Sequence, residues 1–432
     1  MQHSHPADIP TLVYANGKGE IKNLPELSMA GRSGNFFYRP EPEDLIPLPE
    51  GSELFLLPER LPVGFSPDDG SPVLLDHDPE APREKIQAVA AFMAPAHTAI
   101  FTAAYETAGD DPAPLPLFAY TAVGWHKDRF WVAAFRSDPD CRQDARMFDE
   151  ERLQRQTTRQ LKRFAENRLI QHLGKCCLTY GCPAARNYFL GRWEAPLPTS
   201  PVCNARCVGC ISLQPSGCCP ATQDRISFVP RISEITAVAV PHLKSSSGAI
   251  VSFGQGCEGE PLMQAAVLEK AILAMRARTE RGTINLNSNA SMPEKVQRLA
   301  AAGLDSIRVS LNSARPSSHK RYYRPVDFSF ADVLASIDVM KKAGRFVSLN
   351  YFILPGFTDD PDEFAALCSL LEQHRPDFIQ LRNLNMDPDW YLETVRHEPG
   401  APPIGIRTWL AELQKLFPRL RFGYFNPPLE RD

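Results

Sequence analysis

Apolar and polar stretches alternate regularly along the chain from about residue 196 onward. Short apolar runs typical of strands are separated by amphipathic stretches typical of helices, and this order predicts a parallel sheet covered by helices. The predicted strands cover residues 248–254, 283–289, 305–312, 346–353 and 377–383. The predicted helices cover residues 231–244, 262–279, 292–302, 330–343, 361–373 and 405–416. A first strand is expected just before Cys203, although three prolines weaken its pattern there.

The predicted strands share a second pattern, because side chains alternate between the two faces of a strand. One face is apolar and should pack on the helices. The other face is polar in every strand, with Ser252, Asn285, Asn287, Asn289, Arg308, Ser310, Asn312, Ser348, Asn350, Gln380 and Arg382. Small closed barrels fill their interior with branched apolar residues, and each buried polar group without a partner costs about 1–3 kcal/mol. We therefore expect a partly open barrel whose interior holds a polar ligand or water.

Residues 1–145 have a different pattern and predict an α+β accessory region. The first 85 residues are rich in proline and poor in periodicity, which favours an extended wrap over another domain, with Leu54–Leu57 as an edge strand. Strands of a small antiparallel sheet are predicted at 97–105, 116–123 and 129–135. A hairpin turn is predicted at His126–Asp128.

Residues 146–195 predict a helical connector that contains cysteines. Asp149–Lys175 is expected to be one long helix, since acidic residues begin it and basic residues follow, as the helix dipole favours. The basic residues could contact RNA, but a solvated helix face is the favoured interpretation. The predicted buried stripe consists of Leu153, Leu161, Phe164 and Leu169.

Composition narrows the class of protein. The 432 residues carry a formal net charge of −4, so a nucleic-acid partner is not expected. The first residues do not have the pattern of a secretory signal, and the apolar stretch Ala88–Tyr105 is interrupted by Pro95 and His97, so neither export nor membrane insertion is expected. We expect a cytoplasmic protein. Eleven cysteines in such a chain favour metal or redox chemistry over disulfides.

Three of these cysteines form a tight group. Cys203, Cys207 and Cys210 have the spacing Cys-x-x-x-Cys-x-x-Cys. Clusters held by cysteine normally use four thiolates, so a group of three favours an iron–sulfur cluster with one iron open to a further ligand. Short-spaced cysteines also bind zinc. The alternative is therefore a non-catalytic zinc-binding scaffold or interaction protein, with Cys218 or Cys219 as the fourth ligand.

The triplet is followed after the next strand by Glu258-Gly259-Glu260-Pro261. Together these motifs resemble the radical S-adenosylmethionine (SAM) superfamily over residues 196–400. The resemblance implies an α/β fold in which residues 196–432 form a partial (β/α)6 TIM-like barrel. It implies a [4Fe–4S] cluster on Cys203, Cys207 and Cys210 that cleaves SAM to a 5′-deoxyadenosyl radical, which abstracts hydrogen from an unidentified substrate. It also implies a low-potential electron donor such as flavodoxin or ferredoxin.

The same resemblance implies residues that bind SAM. The turn at Gly259, Glu260 and Pro261 should hold the amino group, while Glu258 stands where a glycine is usual. The other implied positions are Ser288 and Asn289 for the ribose, Arg308 and Ser310 for the carboxylate, and Ile353 near the adenine. Arg308 could instead pair with a carboxylate across the barrel.

The remaining cysteines leave two interpretations open. Cys176, Cys177, Cys182, Cys218 and Cys219 flank the triplet and could hold a second cluster. They could equally be packing residues or reactive thiols. Cys257 borders the predicted SAM turn and is a candidate catalytic residue, and Cys368 is expected to be a core residue.

Overall fold

A computed structural model describes residues 9–109, 111–214 and 219–430. The chain forms two compact units, and it passes from one to the other more than once. The first unit comprises Met1–Ala145, Phe352–Cys368 and Leu381–Pro418. The second comprises Arg146–Tyr351, Ser369–Gln380 and Arg419–Asp432. Within the described ranges, no helix combines the length and apolar character that a membrane crossing requires.

The first unit is built mainly from antiparallel strands. Its strands are β1 (Thr11–Ala15), β2 (Ile21–Met29), β3 (Gly31–Ser33), β4 (Phe36–Tyr38), β5 (Leu45–Pro47), β6 (Glu53–Leu57), β7 (Arg60–Phe65), β8 (Pro72–Leu74), β9 (Gln87–Phe92), β10 (His97–Ala99), β11 (Thr102–Ala103), β12 (Tyr105–Thr107), β13 (Val123–His126) and β14 (Arg129–Arg136). Eleven of them form one sheet, whose main path runs β10-β14-β13-β1-β2-β7-β12. A smaller sheet has the order β11-β3-β4.

The prediction of an extended wrap before residue 85 is wrong for the described residues. Strand β1 pairs with β2, β9 and β13, so the proline-rich segment supplies sheet strands with a buried core of their own. The prolines are compatible with this arrangement because several stand at strand ends: Pro47 closes β5 and Pro72 opens β8. The predicted edge strand at Leu54–Leu57 is confirmed as part of β6, which pairs with β9 alone.

The predicted hairpin is confirmed. β13 and β14 pair antiparallel, and His126 lies opposite Arg129. The two residues between them, Lys127 and Asp128, have φ values of 49° and 56°, as a two-residue type I′ turn requires. The predicted strand at 116–123 is wrong, since residues 116–122 form only isolated bridges at Thr121 and β13 begins at Val123.

The predicted helix at Asp149–Lys175 is interrupted. The structure has α1 (Glu150–Arg163), α2 (Arg168–Leu178) and α3 (Pro183–Phe189) in this region. The Asn167 side chain accepts a hydrogen bond from the backbone N–H of Ile170 at 3.1 Å, which makes Asn167 the N-cap of a new helix. This local capping ends the first helix and starts the second.

The second unit contains a parallel sheet in which strands alternate with helices. In chain order the elements are β15 (Glu194–Pro196), α4 (Ile232–Ser245), β16 (Ile250–Phe253), α5 (Ala265–Arg276), β17 (Thr283–Ser288), α6 (Pro293–Ala302), β18 (Ser306–Leu311), α7 (Pro316–Tyr323), α8 (Phe330–Lys342), β19 (Phe346–Ile353), α9 (Pro361–His374), β20 (Phe378–Asn383), α10 (Pro388–Val395), α11 (Ile406–Leu416) and β21 (Arg421–Gly423). The strand order follows the chain from β15 to β21. The last residues of β19 and β20, the first half of α9, and α10 and α11 belong to the first unit.

This architecture confirms the predicted α/β fold with a partial TIM-like barrel. Each of the five predicted strands appears within about two residues of its expected limits, and β15 supplies the strand expected before Cys203. Individual residues explain where the helices begin and end. Pro293 opens α6, and Gly303 closes it with a φ of 111°, a conformation that favours glycine. The sequence did not predict α7, α10 or β21.

Candidate active site

The cysteine triplet lies on a loop after β15 that is held by backbone hydrogen bonds. The N–H of Arg206 donates to the carbonyl of Tyr323, and the N–H of Val208 donates to that of Tyr322, both at 3.0 Å. Three residues after Tyr323, the N–H of Val326 donates to the carbonyl of Asn204 at 2.9 Å. The end of α7 and the residues after it therefore fix the shape of the cysteine loop.

The three thiols are partly withdrawn from water and affect one another. Burial raises the pKa of Cys207 well above its usual value, and the charges of Cys210 and Cys203 raise it further. Burial likewise raises the pKa of Cys203 to about 11, with the charge of Glu260 adding to the effect. A guanidinium nitrogen of Arg225 donates to Sγ of Cys210 at 3.5 Å. Because a bound metal ion stabilises thiolates that would otherwise stay protonated, this donor set suits a metal centre.

The spread of the sulfur atoms bears on the kind of metal centre. A single tetrahedral zinc ion would bring its sulfur ligands within about 3.8 Å of one another. In the described part of the chain, one group of three ligating side chains has all its ligand atoms within 4.8 Å, and that group is not the triplet. At least one pair of sulfur atoms in the triplet is therefore more than 4.8 Å apart, farther than one zinc ion would hold them. Its residues fit an iron–sulfur cluster, in which each thiolate binds a different iron.

The Gly259–Glu260 turn lies directly against the residues that precede Cys203. The N–H of Gly259 donates to the carbonyl of Ser200 at 2.7 Å, and the N–H of Glu260 donates to that of Val202 at 2.9 Å. A Cβ atom on Gly259 would lie 2.1 Å from the Val202 carbonyl oxygen. Only glycine permits this approach, so the two motifs that the sequence singled out are physically joined.

Glu258, next to this turn, joins the ends of β15 and β16. One carboxylate oxygen accepts from the N–H groups of Thr199 and Ser200 at 2.8 and 2.9 Å. The other accepts from those of Gly254 and Gln255 at 2.8 and 2.7 Å. Burial raises the pKa of Glu258 to about 7, while the four N–H donors favour the ionised form. The sequence analysis identified this position only as a departure from the usual glycine. It did not predict that Glu258 connects the two loops.

Glu260 connects the turn to the end of β17. Its carboxylate accepts from the hydroxyl of Ser288 at 2.6 Å and from the N–H of Asn289 at 2.9 Å. The side-chain amide of Asn289 in turn donates to Oδ1 of Asn204 at 2.9 Å. The structure thus brings Glu260, Ser288 and Asn289 together beside the cysteine loop. Asn204 was missed, although an amide side chain directly after the first cysteine was a signal that could have found it.

The polar face of the sheet is linked by hydrogen bonds within and between its strands. The Ser306 hydroxyl donates to Asn285 at 2.8 Å, and Asn285 donates to Asn287 at 2.8 Å. Arg308 donates to the side-chain oxygen of Gln380 at 3.1 Å. The expected polar interior is therefore present, but several of these groups satisfy one another instead of depending wholly on a ligand or water.

The remaining predicted SAM residues occupy separate places. Pro261 begins a short 3₁₀ turn, Pro261–Gln264, that Glu260 caps by accepting from the N–H of Leu262 at 3.0 Å. Ser310 lies half-buried on β18, two residues beyond Arg308. Ile353 is the buried last residue of β19 and belongs to the first unit.

Comparison with known proteins identifies a domain within the chain. Residues 197–368, which include the triplet, the Gly259–Glu260 turn and strands β16–β19, match the family described as the radical SAM superfamily. The chain therefore contains a radical SAM domain. Proteins of this superfamily are enzymes.

Individual relatives are more distant. GTP 3′,8-cyclase of Pseudomonas putida (strain W619) is 29% identical over 167 residues, which are 37% of this chain and 44% of that protein. The chain thus spans less than half the length of this curated relative. Among solved structures, the hydrogenase maturase HydG of Carboxydothermus hydrogenoformans shares 14% identity with a TM-score of 0.35, covering 62% of this chain and 74% of its own. Methylornithine synthase (PylB) shares 13% with a TM-score of 0.37, covering 64% and 75%.

The cysteines outside the triplet lie in different environments. Sγ of Cys177 lies 3.6 Å from the Thr157 hydroxyl, whereas Cys176 contacts His172 and Cys257. A hydrogen bond from Cys257 lowers the pKa of Cys176, and His172 contributes to the same effect. The other members of the predicted second cluster are Cys182 at the start of α3, the buried Cys219, and Cys218, which lies outside the described residues.

One cavity of the second unit lies away from the cysteine triplet. It has a volume of about 1300 Å³ and is lined by Ala249, Gly282, Asp305 and Phe346, which stand at the amino ends of β16–β19. Active sites of parallel α/β barrels lie at the carboxyl ends of the strands. The cysteine loop and the Glu260 turn follow the carboxyl ends of β15 and β16, so the candidate active site is placed there.

Proposed function

We propose that this protein is a radical SAM enzyme that holds a [4Fe–4S] cluster on Cys203, Cys207 and Cys210. When bound, the cluster supplies the electron that cleaves SAM to methionine and a 5′-deoxyadenosyl radical, which abstracts a hydrogen atom from the substrate. The main support is the pair of backbone hydrogen bonds that fix the Gly259–Glu260 turn against the residues preceding Cys203. A SAM molecule bound at the cluster would contact this turn.

The residues around the turn have complementary tasks in this proposal. Glu260 places negative charge where the SAM ammonium group binds, and its bonds to Ser288 and Asn289 keep the carboxylate in one orientation. Burial raises the pKa of Glu260, and an ammonium group bound beside the carboxylate would counteract this effect and favour the ionised form. The remaining polar atoms of Ser288 and Asn289 are suited to the ribose hydroxyl groups.

The carboxylate and adenine ends of SAM need further residues. Arg308 carries a guanidinium that can bind a carboxylate with two parallel hydrogen bonds, and Ser310 lies on the same face of β18. Ile353 offers an apolar side chain for the adenine ring. Reduction of the cluster requires a low-potential donor, and we propose a flavodoxin or a ferredoxin for this role.

The first test is anaerobic reconstitution with iron and sulfide, followed by addition of SAM and dithionite. We expect about four iron and four sulfide per chain, as a [4Fe–4S] cluster requires, and 5′-deoxyadenosine detected by mass spectrometry. Cys207→Ala should lose the iron and the product while its circular dichroism stays that of the wild type. Cys141→Ser, at an exposed cysteine, is the matched control and should retain both.

Two results would contradict the proposal. One is a fully loaded cluster that leaves SAM intact under strong reduction. The other is one equivalent of zinc without sulfide, lost in Cys207→Ala, which would favour the zinc-binding scaffold that the sequence left open.

A further inference from the structure

A second group of metal-ligating side chains lies outside the cysteine triplet. His172, Cys176 and Cys257 place their ligand atoms within 4.8 Å of one another, and in the described part of the chain no other three side chains do so. Cys176 and Cys257 are 1% and 4% exposed, and His172 is half-buried. The proposal that follows does not depend on the function of the triplet.

The local structure explains why these side chains meet. His172 and Cys176 are four residues apart on α2, so they project from the same face of the helix, one turn apart. Cys257 comes from the loop between β16 and the Gly259–Glu260 turn, which lies opposite that face. A helix and a distant loop therefore supply the three ligands, as in many protein metal sites.

The distances fit one ion. Zinc bonds of about 2.3 Å to sulfur and about 2.0–2.1 Å to nitrogen, at a tetrahedral angle, place the two ligand atoms about 3.6 Å apart. Nε2 of His172 and Sγ of Cys176 are separated by 3.6 Å. The 4.8 Å limit on all pairs also agrees with a single ion, since thiolates on different irons of a cluster are farther apart. Two soft thiolates and one imidazole suit zinc, while hard oxygen-preferring cations are disfavoured.

The surrounding contacts hold the three ligands in place. α2 is fixed at its start by Arg168, whose guanidinium donates to Glu234 on α4 at 2.7 and 2.9 Å. The loop that carries Cys257 is fixed by the N–H of Ile226, which donates to the Cys257 carbonyl at 2.8 Å. Lys175 on α2 forms an ion pair with Asp224 in the same segment as Ile226. Helix and loop are thus positioned independently of the three ligating side chains.

We infer that His172, Cys176 and Cys257 bind one zinc ion, with a fourth coordination position left to a small exogenous ligand. The ion connects α2 to the loop that leads into Glu258 and Glu260. This site shares only Cys176 with the second cluster that the sequence suggested. It assigns Cys257 to metal binding in place of catalysis.

The test measures zinc in the full chain by mass spectrometry after chelator-washed purification. We expect about one zinc per chain, retained when Cys203, Cys207 and Cys210 are all replaced by alanine, a variant that lacks the iron of the triplet. The double variant Cys176→Ser and Cys257→Ser should lose at least nine-tenths of the zinc but keep the iron. Cys177→Ser is the matched control, because Cys177 lies next to Cys176 on α2 but contacts Thr157, and it should keep the zinc.

A second measurement needs no variant and guards against misfolding. Cobalt(II) added to metal-free wild-type protein should give the visible bands and thiolate charge-transfer absorption of a tetrahedral site, and zinc should abolish them. The inference is overturned if the wild type binds neither zinc nor cobalt at one equivalent, or if the double variant keeps its zinc. It is also overturned if peptide mapping shows a Cys176–Cys257 disulfide. A further contrary result would be a wild type that holds more iron and sulfide than one [4Fe–4S] cluster and loses the excess in the double variant, because the site would then bind a second cluster.

Discussion

Glu260 accepts a hydrogen bond of 2.6 Å from the hydroxyl of Ser288. Glu260 lies in the loop after β16, and Ser288 is the last residue of β17. This contact links the turn proposed to bind the SAM ammonium group with the strand end proposed to bind its ribose. Both parts of the proposed SAM site therefore depend on the orientation of one buried carboxylate.

Replacing Glu260 by glutamine should weaken SAM binding while leaving the cluster in place. Glutamine keeps one acceptor oxygen but loses the charge and one strong acceptor, and hydrogen bonds to charged groups contribute about 1.5–3 kcal/mol. We expect the dissociation constant for SAM to rise about 10- to 150-fold in anaerobic equilibrium dialysis. Glu280→Gln, at an exposed position, is the control. Unchanged SAM binding in Glu260→Gln would mean that the turn holds another ligand.

Replacing Gly259 by alanine should impair cluster assembly. The added Cβ would lie 2.1 Å from the Val202 carbonyl oxygen, so the segment that leads into Cys203 must move. Overpacking of this kind costs about 1–3 kcal/mol. We expect less than half of the wild-type iron and sulfide after reconstitution, with the overall fold kept by circular dichroism. Gly400→Ala, where a Cβ would meet no atom within 4 Å, should load normally.

Replacing Arg225 by glutamine should lower the reduction potential of the cluster. Its guanidinium donates to Sγ of Cys210, and hydrogen bonds and positive charge near cluster sulfurs stabilise the reduced state. If the contact favours the reduced cluster by about 1.4 kcal/mol, the midpoint should fall by about 60 mV. Redox titration followed by electron paramagnetic resonance measures this shift. A potential equal to that of the control variant Arg278→Gln would exclude an electrostatic role for Arg225.

The pairing of Arg168 with Glu234 predicts a dependence of stability on pH. The hydrogen bonds from Arg168 lower the pKa of Glu234 to about 2, below its ordinary value of 4.5. A carboxylate with a lowered pKa stabilises the fold above pH 4.5, and this contribution disappears as the pH falls from 4.5 towards 2. Because the Arg168 side chain is 44% exposed, solvent screening reduces the contribution to about 1–2 kcal/mol.

Urea unfolding of the wild type and of Glu234→Gln measures this contribution. The triplet should be replaced by alanine in both proteins, so that acid loss of the cluster does not interfere. The two free energies of unfolding should differ by about 1–2 kcal/mol at pH 7 and converge as the pH falls towards 2. A difference that stays constant over this range would show that Glu234 acts through packing alone.

The parts of the fold that follow a regular period could be predicted from the sequence. The alternation of Asn285 and Asn287 with apolar neighbours gave both the strand and its polar face, because a strand has a fixed two-residue repeat. The turn at Lys127 and Asp128 could also be predicted, because it depends only on residues adjacent in the chain. The Cys203 motif and the Glu260 turn were predicted to be neighbours from their resemblance to a known family, and the structure joins them by backbone hydrogen bonds.

The features that could not be predicted from the sequence depend on contacts between residues far apart in the chain. The four N–H donors of Glu258 come from two loops more than fifty residues apart in the chain, and no local pattern announces them. The contact between His172 and Cys257 could not be predicted for the same reason, because the two residues are far apart in the chain. The break between α1 and α2 was missed for a different reason: the cap at Asn167 stands within an otherwise continuous helical pattern.

The hydrogen bonds that hold the cysteine loop against Tyr322, Tyr323 and Val326 join main-chain atoms only. Their strength is therefore insensitive to which side chain the loop carries at the exposed position Arg206. Substitution at this position can alter the chemical character of the loop's outer surface without displacing the sulfur atoms. The main chain of the loop thus fixes the positions of the cysteines, while its exposed side chains can change during evolution.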